Sequence, residues 1–230
     1  MPEGAALSAP IVYLFDPFCG WCYAAAPVIA RLRAAVGPER VYGQPVGLFL
    51  GDGQTPMTPE FRDYAWSNDQ RIAAMTGQPF SQAYYSDVLS DFTVPFDSGP
   101  ATKAIALADQ LRPHSGLDLL ARMQQARFVE GRNLFDPEVL LALALELGFD
   151  RDALAAGFHG PDGEKALERT LDRGHIMMQR LGVRGVPALA LGHGDHYHPV
   201  MGDALIDPKA GLVEKLKAQF GADGAGLEAH

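Results

Sequence analysis

The sequence has few cysteines, few cationic residues and no long apolar run, and each shortage narrows what the chain can do. Only 2 cysteines occur in 230 residues, so no second pair exists to complete a four-cysteine zinc site. The 19 lysines and arginines are outnumbered by 28 acidic residues, which gives a net charge of −9. This charge argues against binding to nucleic acid or to an anionic membrane surface.

The N-terminal stretch lacks the features of a secretory signal. Glu3 stands where such a signal carries lysine or arginine, and no apolar segment precedes the first predicted strand. No part of the chain approaches the length of a transmembrane helix. If Met1 is the natural start, we expect a cytoplasmic protein, where structural disulfides are rare.

The two cysteines lie together in the stretch Phe18 to Cys22, and the rest of the chain is organised around them. Ile11 to Phe15 is an apolar, β-branched and aromatic run that predicts a buried strand. Tyr23 to Ala26 favours a helix after the second cysteine. A strand, a tight turn and Cys19-x-x-Cys22 at a helix start are typical of a thioredoxin-like redox site.

This placement supports reversible dithiol–disulfide exchange. Free N–H groups and the helix dipole stabilise a thiolate on Cys19, and the thiolate is the nucleophile. Cys22, one turn inward, is positioned to attack the resulting mixed disulfide. A purely structural disulfide across so short a loop would remove little chain entropy, which favours the redox interpretation.

The pattern of elements predicts an α/β fold with a large all-helical insertion. Val41 to Phe49 forms a second strand, with Pro45 favouring a sheet edge, and completes a βαβ half. Helix signals dominate residues 53–173, strands return near residue 187, and a final helix completes a ββα half. We therefore predict a thioredoxin-like domain from residues 11–52 and 174–220, an inserted helical subdomain at 53–173, and a flexible tail at 221–230.

Val186-Pro187 at the entrance of an apolar strand is the second informative stretch. If this bond is cis, the turn is tight and Val186 presents backbone groups toward the cysteines, where a substrate peptide could add as a strand. The alternative is an ordinary trans proline that begins a strand. The nearby cysteine pair favours the first alternative.

Two further groups of residues have open alternatives. Asp16 either assists proton transfer at the buried cysteine or serves as a turn residue before Pro17. His193, Asp195, His196 and His198 cluster at a predicted hairpin, where a metal site competes with a solvated polar turn. No local residue completes a ligand set, so we predict no metal and no bound cofactor.

The chain resembles the DsbA family of thioredoxin-fold oxidoreductases, most closely its signal-less, cytoplasmic-type branch, over about residues 11–220. The residues that carry the resemblance are Asp16 to Tyr23, Gly185 to Ala188, Phe128 to Asn133 and Asp136 to Leu140. The resemblance implies that Cys19 attacks, Cys22 resolves and Pro187 is a cis-proline facing them. Gly-Trp replaces the Pro-His dipeptide of periplasmic oxidants, and Tyr13 stands where the family usually has an acid.

We therefore expect a thiol–disulfide oxidoreductase acting on protein, peptide or small-molecule disulfides, with glutathione or another reductant as redox partner. Trp21 is an aromatic contact for apolar substrate, beside Val186 and Pro187. One alternative is a glutathione-dependent isomerase or transferase of a related fold, against which two intact cysteines count. Another is a non-enzymatic peptide- or metal-binding protein.

Overall fold

The computed structural model describes residues 10–193, 196–207, 209 and 211–220. Its sheet has four strands, β1 (Ile11–Phe15), β2 (Val41–Pro45), β3 (Ala188–His193) and β4 (His196–Val200). The strand order is β2-β1-β3-β4, with β1 parallel to β2 and the β1–β3 and β3–β4 pairs antiparallel. The predicted βαβ and ββα halves therefore share one sheet, and β2 lies at its edge as Pro45 indicates.

Strand β1 is buried on both faces, which explains its continuous apolar sequence. Tyr13 and Phe15 face the main core, whereas Val12 and Leu14 face a smaller core beneath helix α7 (Pro161–Leu181). The strand that carries the cysteine turn is thus fixed from both sides.

Helices account for most of the remaining described residues. In chain order they are α1 (Gly20–Val36), α2 (Pro59–Thr76), α3 (Gly99–Leu111), α4 (Gly116–Phe128), α5 (Pro137–Glu146), α6 (Arg151–His159), α7, α8 (Asp203–Ile206) and α9 (Leu212–Phe220), with a π-helical turn at Tyr84–Leu89 and 3-10 turns at Pro38–Arg40 and Gly51–Gly53. None of the helices in the described ranges is both long enough and apolar enough to cross a membrane.

The helix boundaries follow the predicted capping signals in most places. The hydroxyl of Thr58 accepts from the N–H of Phe61 at 3.2 Å, and Pro59 takes the first helical position of α2. Gly77 ends this helix with φ = 77°, a left-handed conformation that glycine adopts without strain. Asp136 caps α5 in the same manner, by accepting from the N–H of Glu138.

Two predicted boundaries are wrong. Strand β2 ends at Pro45 rather than Phe49, because proline donates no ladder hydrogen bond and Gly47 turns the chain with φ = 66°. Helix α1 begins at Gly20 rather than near Cys22, since the chain enters it with Cys19 in extended conformation as the N-cap residue. The first cysteine therefore lies closer to the helix terminus than the sequence indicated.

The sheet and the helical segment share one core. A single cluster of buried apolar side chains extends from Tyr13 and Leu189 of the sheet to Leu107 and Phe128 of the helices. The predicted boundary at residue 173 falls inside α7, which contacts β2 and β4 as well as α3 and α6. The predicted tail, 221–230, lies outside the described residues.

Candidate functional site

The cysteine pair occupies the N-terminus of α1. Cys19 is the N-cap residue and Cys22 lies in the first turn, where their side chains are 5% and 0% exposed. No side chain caps this helix end, so its free N–H groups and positive dipole act on the sulfur of Cys19. The first cysteine is the more accessible of the two, as an attacking thiol must be.

Cys22 is held as a thiol behind Cys19. Burial raises its pKa well above the usual value, and a hydrogen bond with Cys19 and the charge on Cys19 raise it further. A protonated Cys22 can donate to the Cys19 sulfur, which stabilises a thiolate there. The pair is therefore asymmetric: Cys19 lies at the helix terminus, whereas Cys22 is buried behind it and keeps its proton.

Tyr13, on β1, also contacts the pair. Its hydroxyl donates to the carbonyl of Cys22 at 3.1 Å, and its side chain is 1% exposed. Burial raises the pKa of Tyr13 well above its usual value, with the charges of Cys22 and Cys19 adding to the effect. Tyr13 thus contributes a neutral hydroxyl beside the buried sulfur.

The Val186–Pro187 turn faces Cys19 from the other end of the chain. The peptide bond is cis, and the thiol of Cys19 lies 3.9 Å from the carbonyl oxygen of Val186. Both turn residues are half-buried, and β3 begins only at Ala188. The fold therefore brings the two informative stretches of the sequence together at one sulfur atom.

Trp21, between the cysteines, is half-buried beneath α2. The guanidinium of Arg71 lies 5.5 Å from the centre of its ring, which is a cation–π distance. Arg71 is itself positioned by Asn68, whose side-chain oxygen accepts its hydrogen bond at 3.1 Å. One part of the indole ring is covered and another remains open beside the helix terminus.

Asp16 is fully buried and accepts hydrogen bonds from the backbone of the turn that leads to the cysteines. Its carboxylate accepts from the N–H of Phe18 at 2.8 Å, the N–H of Phe49 at 3.3 Å and the hydroxyl of Ser98 at 2.7 Å. Burial raises its pKa, while these hydrogen bonds act in the opposite direction. Its charge also raises the pKa of Cys22. The residue is therefore both a turn residue and a neighbour of the buried thiol.

Sequence reasoning missed a buried polar cluster, made of Asp69, Tyr84 and Arg127, on the helical side of the site. The hydroxyl of Tyr84 donates to Oδ2 of Asp69 at 3.1 Å. The guanidinium of Arg127 lies 3.8 Å from the ring centre of Phe18, the residue before Cys19. Arg127 could have been found, because it follows Met123 by four residues and so shares the buried face of α4.

The histidine hairpin lies away from these residues. His196 and His198 are exposed on β4, opposite His193 and Leu191 of β3, while Asp195 lies outside the described residues. Across the described part of the chain, no three histidine, cysteine or carboxylate side chains are grouped as metal ligands.

A large cavity lies on the opposite face of the sheet from the cysteines. It has a volume of about 600 Å³ and is lined by Val12, Tyr42, His114, Arg173 and Tyr197 among others. Val12 and Tyr13 point to opposite faces because side chains alternate along a strand. The cavity thus belongs to the α7 side, and none of the predicted site residues lines it.

Comparisons with known proteins agree with this architecture. The model of the DSBA-like thioredoxin domain family matches residues 11–208. The structure of the cytosolic disulfide reductase DsbM from Pseudomonas aeruginosa is 32% identical, with a TM-score of 0.74, and the match covers 91% of this chain and 95% of that one. A second structure of DsbM, with GSH, matches at 32% identity and a TM-score of 0.73 over 91% of this chain and 96% of that one.

A curated relative is the ClpXP adapter protein SpxH of Bacillus subtilis (strain 168), 25% identical over 162 residues. That match covers 68% of this chain and 51% of the relative. The chain thus spans about half the length of the curated relatives it matches. The mixed sheet, the helical segment and the family match together confirm the predicted thioredoxin-like fold. The chain belongs to the DSBA-like thioredoxin domain family.

Proposed function

We propose that this protein reduces disulfide bonds of proteins, peptides or small molecules in the cytoplasm, with Cys19 as attacking thiol and Cys22 as resolving thiol. The observation that carries the proposal is the asymmetry of the pair at the N-terminus of α1. Cys19 is at the uncapped terminus with its sulfur near the carbonyl of Val186, whereas Cys22 is buried and holds its proton.

The chemistry proceeds in two exchanges. The Cys19 thiolate attacks one sulfur of the substrate disulfide, which forms a mixed disulfide and releases the other sulfur as a thiolate that takes up a proton. Cys22 then loses its proton and attacks the Cys19 sulfur. The second substrate thiolate leaves and is protonated, and a Cys19–Cys22 disulfide remains.

Asp16 is the group we propose as acceptor of the Cys22 proton. Its carboxyl is fully buried, and burial favours the protonated form. Its charge opposes ionisation of Cys22, so transfer of the proton to Asp16 removes that opposition as Cys22 attacks.

Substrate contacts are assigned to the half-buried residues around Cys19. An extended peptide would pair with the backbone of Val186 beside Pro187, as an added strand, and Trp21 would contact its apolar side chains. The support for this assignment is the 3.9 Å distance between the Cys19 sulfur and the carbonyl oxygen of Val186.

Glutathione is the reductant we propose for the Cys19–Cys22 disulfide. Two glutathione thiols would return the pair to the dithiol form and leave as glutathione disulfide, which balances the electrons. The support is the similarity to DsbM, described as a cytosolic disulfide reductase and also solved with GSH.

Trapping of the mixed disulfide tests the proposal. Cys22→Ser should accumulate a covalent adduct with a disulfide-containing peptide, because the attack still occurs and the resolution does not. Cys19→Ser should form no adduct and lose exchange activity by about three orders of magnitude or more. Full exchange activity in Cys19→Ser, or the absence of any adduct in Cys22→Ser, would contradict the proposal.

A glutathione-dependent isomerase or transferase is the second candidate, and the GSH-containing structure of DsbM is what favours it. Such an enzyme uses bound glutathione as its nucleophile and needs no resolving cysteine. Turnover of a non-disulfide substrate that survives Cys22→Ser would favour this candidate over the reductase.

The curated relatives are named adapter proteins, so a non-enzymatic binding role is a further alternative. Partner binding that is unchanged when both cysteines are replaced by serine, together with no disulfide exchange by the unmodified chain, would indicate that role.

A further inference from the structure

Asp69, on α2, lies directly against the dipeptide that separates the cysteines. A Cβ atom added to Gly20 would overlap Oδ1 of Asp69 and would lie 3.1 Å from Cδ1 of Ile72. The carboxyl group is therefore packed on the first residue of α1, at the helix terminus where Cys19 is the N-cap residue.

The position of this carboxyl is fixed. Asp69 is 5% exposed, and its other oxygen accepts the hydrogen bond from Tyr84 at 3.1 Å. Tyr84 is itself 1% exposed, and its ring lies 5.1 Å from that of Phe128. The carboxyl cannot turn away from Gly20 without losing this bond.

The charged and titratable groups that act on Asp69 come from two other elements, Tyr84 on the π-helical turn and Arg127 on α4. Cys19 precedes Gly20, the residue against which the carboxyl packs. Burial raises the pKa of Asp69 to about 7, while the Tyr84 hydrogen bond and the charge of Arg127 act in the opposite direction. Arg127 also interacts with Asp16, on the far side of the pair.

We infer that Asp69 is a positioning residue for the redox site, whose negative charge at the first turn of α1 competes with the thiolate of Cys19. A carboxylate and a thiolate beside the same helix terminus repel each other and share one dipole, so each makes the other harder to ionise. The two groups then titrate as a linked pair.

As a consequence, the reactivity of Cys19 depends on whether the Asp69 carboxyl is protonated. While Asp69 is neutral, the helix terminus acts on the Cys19 sulfur alone and the thiolate is favoured. Once Asp69 ionises, the thiolate is less favoured. The inference rests on the proposed use of Cys19 as nucleophile, and it adds the group that sets how much of that nucleophile is present.

The test follows the Cys19 thiolate by its ultraviolet absorbance and by its rate of alkylation with iodoacetamide from pH 4 to pH 10. Cys22→Ser is the parent, because the chain has 2 cysteines and the signal then comes from Cys19 alone. Asp69→Asn in this parent should lower the midpoint, with an acid constant about three- to tenfold larger, and should sharpen the curve to a single-proton transition.

Asp63→Asn is the matched control. Asp63 lies on the same helix and its substitution removes the same charge, but the residue is exposed. Its substitution should leave the Cys19 curve unchanged. An equal shift in both variants would mean that net charge alone is responsible and would overturn the inference.

A second measurement needs no substitution at Asp69. Carbon-13 NMR of the Asp69 carboxyl in the Cys22→Ser protein should show a higher midpoint when Cys19 is a free thiolate than when it is capped with iodoacetamide. Identical Asp69 curves in the two forms, together with unchanged Cys19 curves in Asp69→Asn, would overturn the inference. A parent with no thiolate signal below about pH 9 would instead contradict the proposed function.

Discussion

The cysteine pair lies between two regions that each present a buried carboxyl, and the two carboxyls are held in different ways. Asp16, on the strand side, accepts from two backbone N–H groups and from the hydroxyl of Ser98. Asp69, on the helical side, has one hydroxyl donor, Tyr84, and the charge of Arg127. The strand-side carboxyl is part of the turn, whereas the helical-side carboxyl is held only by side chains.

This difference separates what the two regions contribute. The strand side supplies the thiols, the cis turn and a carboxyl whose hydrogen bonds hold the local backbone. The helical side supplies an environment of buried charge around the first turn of α1. Substitution of Asp16 should therefore lower the free energy of unfolding, whereas substitution of Asp69 should change how that free energy depends on pH.

The largest expected effect comes from Asp16→Ala. This substitution leaves the N–H groups of Phe18 and Phe49 and the Ser98 hydroxyl without their acceptor, which should cost about 3–5 kcal/mol of unfolding free energy. Urea unfolding at pH 7 measures it. Asp97→Ala is the control, because Asp97 is a half-buried neighbour whose carboxylate accepts from Gly99 and Gln54. We expect about 1 kcal/mol there, and equal losses would contradict the assigned role of Asp16.

A pH-dependent effect of similar size is expected from Asp69→Asn. The pKa of Asp69 is about 7 in the folded state and near 3.8 in the unfolded state, so between these pH values only the folded state keeps Asp69 protonated. The resulting contribution to the free energy of unfolding is fully present below about pH 4 and is lost as the pH rises to 7. The stability of Asp69→Asn relative to the natural chain should therefore improve by about 3–4 kcal/mol from pH 4 to pH 8.

Denaturant unfolding at a series of pH values measures this improvement. Asp63→Asn should show no such improvement in unfolding free energy between pH 4 and pH 8. If the difference in unfolding free energy between Asp69→Asn and the natural chain does not change with pH, Asp69 keeps one charge state throughout. That result would contradict the titrating role assigned to Asp69.

A smaller loss of unfolding free energy is expected from Gly20→Ala. The new methyl group overlaps Oδ1 of Asp69, so the α1–α2 contact must open, at a cost of about 1–3 kcal/mol. Gly185→Ala is the control, because a Cβ atom there has nothing within 4 Å. In an Asp69→Ala background the same Gly20→Ala change should cost little, since the overlapping atom is absent. Equal costs in the two backgrounds would contradict the packing described for Asp69.

The smallest expected effect concerns Arg71 over Trp21. Arg71→Gln removes a cation–π contact at an exposed position, which should cost about 0.5–1 kcal/mol and change the fluorescence of Trp21. Arg71→Lys keeps the cation and should retain most of the stability. A larger loss in Arg71→Lys than in Arg71→Gln would indicate that charge at this position is unimportant.

The thioredoxin-like part of the site is predictable from the sequence because its signals are local. Cys19 and Cys22 lie within one helical turn, and Val186-Pro187 directly precedes an apolar strand, so each motif can be recognised without the fold. The edge position of β2 likewise follows from Pro45 alone.

The helical part of the site is not predictable in this way. Asp69, Tyr84 and Arg127 lie on three elements whose sequence patterns are ordinary. Only packing brings them together and places Asp69 against Gly20. The start of α1 at Gly20 was not indicated by the sequence either, since Gly20 and Trp21 carry no helix signal of their own.

The reduction potential of the Cys19–Cys22 pair tests the central claim most directly. Thiol labelling across a series of glutathione buffers measures it in the unmodified chain. A value near about −250 mV or lower is predicted for a reductase that glutathione and related thiols keep in the dithiol form, whereas an oxidant lies near about −120 mV. A value close to the second figure, or a pair that forms no disulfide in any buffer, would contradict the account.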